Sequence, residues 1–160
     1  MDSVVNRQVH HHVFVVEREF THAPSLVFFA WSNAEARRQW FHGPEGWVVG
    51  EQVFDFRTGG LEISEGGPKG GFVSRYEARI LEIVPDERII VAFMMYMDGV
   101  PITASLATTE FKAGDYGTQL RYTEQIAFLD GHDHLPQRIE GTEGMFDQFE
   151  YYVETHKLEG

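Results

Sequence analysis

The sequence of 160 residues contains no cysteine, and this absence excludes several kinds of site. A chain without cysteine has no disulfides, no thiolate metal ligands and no cysteine nucleophile. No apolar run approaches the roughly 18 residues that a membrane span requires, so we expect no membrane insertion. Residues 1–7 lack the long apolar stretch of a signal peptide, and we therefore expect a cytoplasmic location.

Basic residues are also scarce, since 13 Lys and Arg stand against 25 Asp and Glu and give a formal net charge of −12. A surface this acidic repels phosphate groups, so we expect no nucleic-acid partner. Hydrophobic residues make up 42% of the chain, which is too many for a disordered protein. The 13 Phe, 6 Tyr and 3 Trp predict either an aromatic core or the wall of an apolar pocket.

Periodicity and turn residues indicate the order of the secondary-structure elements. A β-branched and aromatic segment at residues 12–20 predicts a strand, and Pro24 suits the start of a helix. Two short helices follow, at residues 25–31 and 34–41. Segments bounded by glycine, proline and aspartate then predict six strands, at residues 47–57, 61–65, 72–84, 87–97, 100–112 and 118–128.

The C-terminal segment predicts one long helix, from Gln137 to about His156, because apolar residues recur there every three or four positions. Gly141 and Gly144 are costly within a helix and predict the close approach of another element. Short connections between the strands favour an antiparallel meander, and only the long helix can cover its apolar face. We expect a flexible N-terminus at residues 1–11 and a single domain at residues 12–157.

Several local motifs resemble one known superfamily in their order and spacing. They include Pro24 at the first helix, Trp40-Phe41 before the loop at residues 44–47, the Asp-Phe-Arg-Thr-Gly-Gly turn at residues 55–60 and the hairpin at residues 81–89. Over about residues 12–155 the chain resembles the START-like, birch-pollen-allergen-like (SRPBCC) superfamily. It is most similar to the branch of activators of heat-shock-protein ATPase.

The resemblance implies an α+β helix-grip fold. In this fold a curved six- or seven-stranded antiparallel sheet wraps around a long C-terminal helix, and two short helices follow the first strand. The fold hosts transport, cyclisation, hydrolysis and regulation, so it implies no single function.

Strand alternation and the helical pattern predict which side chains face a cavity between the sheet and the long helix. The alternative is that the same side chains fill an ordinary core, as any sheet requires. The predicted cavity residues are aromatic, methionine or polar side chains on the inward faces or near the mouth: Trp31, Trp40, Trp47, Tyr76, Phe93, Met95, Met97, Ser105, Tyr122, Glu124, Phe128, Met145 and Phe149.

Glu124 is the most informative of these residues because it shares a strand face with four apolar or aromatic side chains. A buried carboxylate must pair, accept hydrogen bonds or become protonated. Glu124 is thus a candidate general acid or base. The alternatives are a bulge that exposes it or a structural ion pair with one of three arginines, Arg75, Arg79 and Arg121.

Glu62 is the second candidate catalytic carboxylate, with simple exposure on a short edge strand as its alternative. If both carboxylates face inward, they form an acid/base pair with Tyr76 and Tyr122 as hydrogen-bond partners. Arg37 and Arg38 are interpreted as a solvated helix face rather than as an anion site.

A cluster of potential metal ligands precedes the long helix, namely Asp130, His132, Asp133 and His134. We interpret it as a polar loop at the start of that helix, and we expect neither a metal nor a cofactor.

Three functions follow from this reading. The first is binding of a small hydrophobic or aromatic molecule in the cavity. The second is an enzyme that uses the same cavity, such as a cyclase, dehydratase or hydrolase of polyketide-like or aromatic compounds. The third, suggested only by the resemblance, is a chaperone-ATPase partner, for which an N-terminal chaperone-binding domain is expected to be missing. Pairing of an edge strand makes a homodimer plausible.

Overall fold

The computed structural model of the protein describes residues 7–158. Its elements follow the predicted order of one strand, two short helices, six strands and a long helix. They are β1 (Val9–Phe20), α1 (Pro24–Ser32), α2 (Ala34–Trp40), β2 (Val48–Phe54), β3 (Leu61–Gly67), β4 (Ser74–Val84), β5 (Arg88–Met97), β6 (Val100–Ala113), β7 (Thr118–Leu129) and α3 (Leu135–Thr155).

The seven strands form one curved antiparallel sheet in the order β1-β7-β6-β5-β4-β3-β2. Strands β2 to β7 therefore follow one another as a meander, and β1 closes the sheet against β7. This is the predicted α+β helix-grip architecture, with two short helices after the first strand and the long helix α3 against the sheet. The strand count is seven within residues 7–158.

Local sequence explains the sharp turns of the meander. Asp98 and Asp130 adopt positive φ angles of 51° each and are followed by Gly99 and Gly131, which are also left-handed. Asp-Gly pairs suit tight hairpins because aspartate tolerates this conformation and glycine adopts it without a steric cost. The first turn thus joins β5 to β6, and the second directs the chain from β7 towards α3.

The two short helices begin at positions that the sequence marks. Pro24 occupies the first turn of α1, where its missing N–H is not needed. The side chain of Asn33 accepts a hydrogen bond of 3.1 Å from the Ala36 amide and thereby caps α2. Both helices then bury one face against α3 and the inner face of the sheet.

The N-terminus differs from the prediction. Strand β1 begins at Val9, and Val9, His10 and His11 pair with β7 opposite Leu129, Phe128 and Ala127. These residues belong to the sheet and are not a flexible tail. The sequence did not reveal this part of the strand because β1 is an edge strand whose first residues are exposed, so polar histidines are tolerated there. The rest of the predicted tail, residues 1–6, lies outside the described residues.

None of the helices within residues 7–158 combines the length and the apolar character that a membrane crossing needs.

Candidate functional site

A cavity of about 960 Å³ lies between the sheet and the N-terminal half of α3. Its volume is at the upper end of the range of about 300–1,000 Å³ that is typical of small-molecule sites. Apolar and aromatic side chains of β4, β5 and β7 form much of the wall. The glycines Gly141 and Gly144 of α3 face the same space.

Glu124 is the most deeply buried polar group of this wall, with 1% of its surface exposed. One carboxylate oxygen accepts a hydrogen bond of 2.7 Å from the Tyr122 hydroxyl. The other accepts from the Ser105 hydroxyl and from the Arg138 guanidinium, each at 2.8 Å. Arg138 also donates to the Thr103 hydroxyl at 2.6 Å. The carboxylate is therefore both charge-paired and fully hydrogen-bonded, as a buried charge must be.

A second buried ion pair lies at the end of the cavity nearest to α2. Arg37 donates two hydrogen bonds to Glu62, at 2.5 and 2.9 Å, and a third of 2.9 Å to the Trp31 carbonyl. The forked guanidinium matches both carboxylate oxygens, which is the strongest geometry for such a pair. Arg37 and Glu62 are 7% and 4% exposed.

Four aromatic rings enclose the guanidinium of Arg37. Its central carbon lies 4.2 to 5.4 Å from the ring centroids of Phe41, Phe54, Trp40 and Trp31. These distances are within the range of cation–π attraction. The aromatic rings therefore stabilise the cation and also shield the ion pair from water.

Two tyrosines complete the polar part of the wall. Burial, followed by the negative charge of Glu62, raises the pKa of Tyr76 well above its ordinary value. Burial and then the Glu124 carboxylate raise the pKa of Tyr122 in the same way. Both hydroxyls are thus neutral at physiological pH, and their oxygens can accept a hydrogen bond.

Eight of the predicted cavity residues are found in the wall. They come from α1, the loop after α2, three strands and α3: Trp31, Trp47, Tyr76, Phe93, Met95, Tyr122, Glu124 and Met145. Strand alternation placed the strand residues in this set, because the inner face of the sheet is the cavity floor.

Five predicted residues do not line this cavity. Trp40 and Phe149 are fully buried in an aromatic cluster that fills the other half of the space beneath α3. Phe128 is buried near the start of β1, against the ring of His12. Met97 ends β5 beyond a register shift at Met95 and Tyr96. Ser105 is the fifth, and it acts indirectly through its hydrogen bond to Glu124.

Three interpretations of charged residues are wrong. Arg37 is not part of a solvated face, because α2 turns it towards Glu62 beneath the aromatic rings. Glu62 is correspondingly buried and not exposed, although it lies behind Arg37 rather than in the cavity wall. The partner of Glu124 is Arg138 rather than one of the three strand arginines, whose bonding partners are Glu51, Glu65, Glu17 and the Gly59 carbonyl.

Sequence reasoning missed Arg138, although a signal was present. Arg138 is the only basic residue of α3, and it shares one helix face with Thr142, Met145 and Phe149 at spacings of four, three and four residues. A lone cation on an otherwise inward face matches a buried carboxylate on the opposite sheet.

The glycines of α3 were also misinterpreted. A Cβ atom added at Gly141 or Gly144 would meet no atom within 4 Å. No other element approaches the helix at these positions, and the glycines border open space instead.

Within residues 7–158, no group of three or more His, Asp or Glu side chains is arranged to hold a metal ion. In the loop before α3, Asp133 lies 3.6 Å from His10, and Asp130 binds Arg7 at 2.8 Å. The acidic groups of this loop thus contact residues at and just before the start of β1.

Comparison with known proteins identifies the family. A family model described as Activator of Hsp90 ATPase homolog 1-like protein matches residues 21–154, which include every strand after β1 and almost all of α3. The chain belongs to this family. The match covers all the residues of the two buried ion pairs.

Solved structures of similar proteins share the complete fold of the activator family. A protein from Rhizobium leguminosarum is 38% identical with a TM-score of 0.90, over 94% of this chain and 99% of that one. A protein from Rhizobium loti is also 38% identical, with a TM-score of 0.84 over 91% and 99% of the two chains. An activator-like protein from Aeromonas hydrophila is 19% identical, with a TM-score of 0.68 over 93% and 100%.

Comparison with curated proteins finds no match. The activator-family fold supports a ligand-binding domain, and the chemistry of its cavity has to be read from its own residues.

Proposed function

We propose that the protein binds a small hydrophobic or aromatic molecule in the cavity between the sheet and α3. The observation that carries this proposal is the open volume of about 960 Å³, which the structure leaves inside a domain of ordinary size. A concave and largely apolar space of this size, open to solvent on one side, is typical of small-molecule sites.

The wall supports an aromatic ligand in particular. Trp31, Trp47, Tyr76 and Phe93 present rings to the space, and Met95 adds a flexible thioether that adapts to irregular shapes. The two tyrosine hydroxyls supply the few polar groups that orient a ligand in an apolar site. A ligand with rings and one or two hydrogen-bonding groups fits this arrangement best.

Binding explains the geometry better than acid/base catalysis does. Glu124 accepts three hydrogen bonds and is paired with Arg138, so both of its oxygens already serve protein groups. Glu62 is held in a similar way by two hydrogen bonds from Arg37, from Nε and Nη2. Glu124 is thus a fixed member of the wall, and Glu62 is the fixed partner of the wall residue Arg37.

Titration with N-phenylnaphthylamine, an aromatic probe that fluoresces in apolar surroundings, tests the proposal. We expect saturable binding of one molecule per chain. Gly144→Leu extends a side chain into the open volume and should weaken binding at least ten-fold. Glu143→Leu, at an adjacent and exposed position, is the matched control and should leave binding unchanged. Absence of saturable binding to the unmodified protein would overturn the proposal.

The other expectations about partners and location stay predictions. They are the absence of a nucleic-acid partner, a homodimer, a chaperone partner as the third hypothesis, and a cytoplasmic location.

A further inference from the structure

The charged side chains around the cavity fall into a deep group and a rim group. Arg37, Glu124 and Arg138 line its deep part, and each is paired. Arg38, Glu65 and Glu140 lie nearer the rim. Arg38 and Glu140 are exposed to solvent, and Glu65 is half-buried and paired with Arg75. Water screens the rim charges, so the deep group determines what a buried ligand meets.

The deep group carries no net charge. Arg37 neutralises Glu62, and Arg138 neutralises Glu124. The tyrosine hydroxyls that face the same space, on Tyr76 and Tyr122, are protonated because burial raises their pKa values. The deep part of the cavity is therefore electrically neutral, although the protein has a formal net charge of −12.

These charges are also fully engaged by the protein. The two Glu124 oxygens accept from Tyr122, Ser105 and Arg138, and the second arm of Arg138 donates to Thr103. Among residues 7–158, no buried side-chain nitrogen or oxygen lacks a hydrogen-bond partner. The deep cavity thus offers neither a spare cation nor a spare anion to a ligand.

We infer that the cavity selects uncharged ligands, with the Arg138–Glu124 and Arg37–Glu62 pairs as its specificity determinants. This inference rests on the proposed function and narrows its ligand class. A charged group carried into the cavity would lose its hydration without gaining a counter-ion. An uncharged ring system with a hydroxyl or an amine loses less, and it can donate a hydrogen bond to the Tyr76 or Tyr122 oxygen.

Two fluorescent probes with the same ring skeleton test the inference. N-phenylnaphthylamine is uncharged at pH 7. Anilinonaphthalenesulfonate has the same rings and adds one sulfonate beside the amine that joins them. Burial of both rings therefore buries the charge. Titrations at high salt screen the overall negative charge of the protein. We expect the uncharged probe to bind at least ten-fold more tightly.

Glu124→Gln provides the decisive variant. It leaves the Arg138 cation unmatched in the cavity, so it should admit the sulfonate and reduce the affinity ratio to about two-fold or less. Glu143→Gln is the matched control, because it changes the net charge by the same amount at an exposed position of α3 outside the cavity wall. It should leave the ratio unchanged.

Three results separate the claims. Equal affinity of the unmodified protein for both probes would overturn the inference, even if Glu124→Gln failed to fold. An unchanged ratio in a folded Glu124→Gln protein would also overturn it. Failure of both probes to bind the unmodified protein would instead remove the proposed function.

Discussion

The two halves of the space beneath α3 are built differently. Towards the C-terminus of the helix, Phe149 is fully buried, with its ring centroid 4.7 Å from that of Trp40 and 5.1 Å from that of Trp31. Towards the N-terminus, Gly141 and Gly144 face open volume. One helix thus anchors the domain with one end and roofs a cavity with the other.

The comparison shows how a small domain tolerates a large cavity. The aromatic cluster around Trp31, Trp40 and Phe149 concentrates apolar burial in the packed half, where each large ring contributes most. The hollow half is held across the open space by polar contacts, chiefly the bond between Arg138 and Glu124. Stability and ligand space are therefore supplied by different residues of the same helix.

The largest expected effect comes from breaking the ion pair at the border of the two halves, where Arg37 lines the cavity and contacts the rings of Trp31 and Trp40. Glu62→Gln leaves Arg37 as an unmatched buried cation and should lower the free energy of unfolding by about 3–5 kcal/mol. Glu124→Gln should cost less, because its partner Arg138 borders the cavity and is 15% exposed. Urea unfolding of the two variants measures both costs. Equal costs would contradict this difference in burial between the two ion pairs.

Truncation of one apolar side chain in each half gives the next effect. Phe149→Ala removes a fully buried ring and should cost about 3–5 kcal/mol of unfolding free energy. Met145→Ala, in the cavity wall, should cost about 1 kcal/mol, since the cavity already lies beside that side chain. Thermal and urea unfolding provide the measurements. A Met145→Ala cost as large as that of Phe149→Ala would mean that the hollow half is packed.

Alkaline pH tests the buried tyrosines of the hollow half. The folded-state pKa values of Tyr76 and Tyr122 lie above the ordinary value of 10.0. Above pH 10 the unfolded chain loses these protons first. Its free energy falls relative to the folded state, so stability declines by up to about 1.4 kcal/mol per pH unit for each tyrosine.

Tyr76→Phe should remove part of this decline, which urea unfolding from pH 7 to pH 11 measures. Tyr116→Phe is the control, because the Tyr116 side chain is 88% exposed. The same alkaline slope in the unmodified protein and the Tyr76→Phe variant would show that this hydroxyl is solvated.

The smallest effect concerns the glycines of the cavity roof. Gly141→Ala and Gly144→Ala add a methyl group to open space and should each stabilise the free protein by about 0.5–1 kcal/mol, because alanine favours the helix. Gly60→Ala is the contrasting control, since its Cβ would lie 1.9 Å from the Asp55 carbonyl oxygen. Thermal unfolding compares them. A loss of stability at Gly141 would mean that the roof has no free space.

Much of the fold could be predicted from the sequence. Alternation in β5 and β7, the Asp-Gly turns and the spacing in α3 all follow from short-range periodicity, so the order of the elements and the inward faces were accessible. Side-chain periodicity could not separate Trp40 and Phe149 from the cavity wall. The reason is that inward-facing residues are equally apolar whether the opposite side is filled or empty.

The sequence by itself determined that Glu124 shares one strand face with apolar side chains, because its position in the alternating pattern of β7 sets that face. Only the tertiary structure decided that Arg138 neutralises it, since the two charges meet when α3 lies across the sheet. The same holds for Arg37 and Glu62, which are 25 residues apart in the chain. Pairing and open volume depend on the distance between elements, which local residue patterns do not encode.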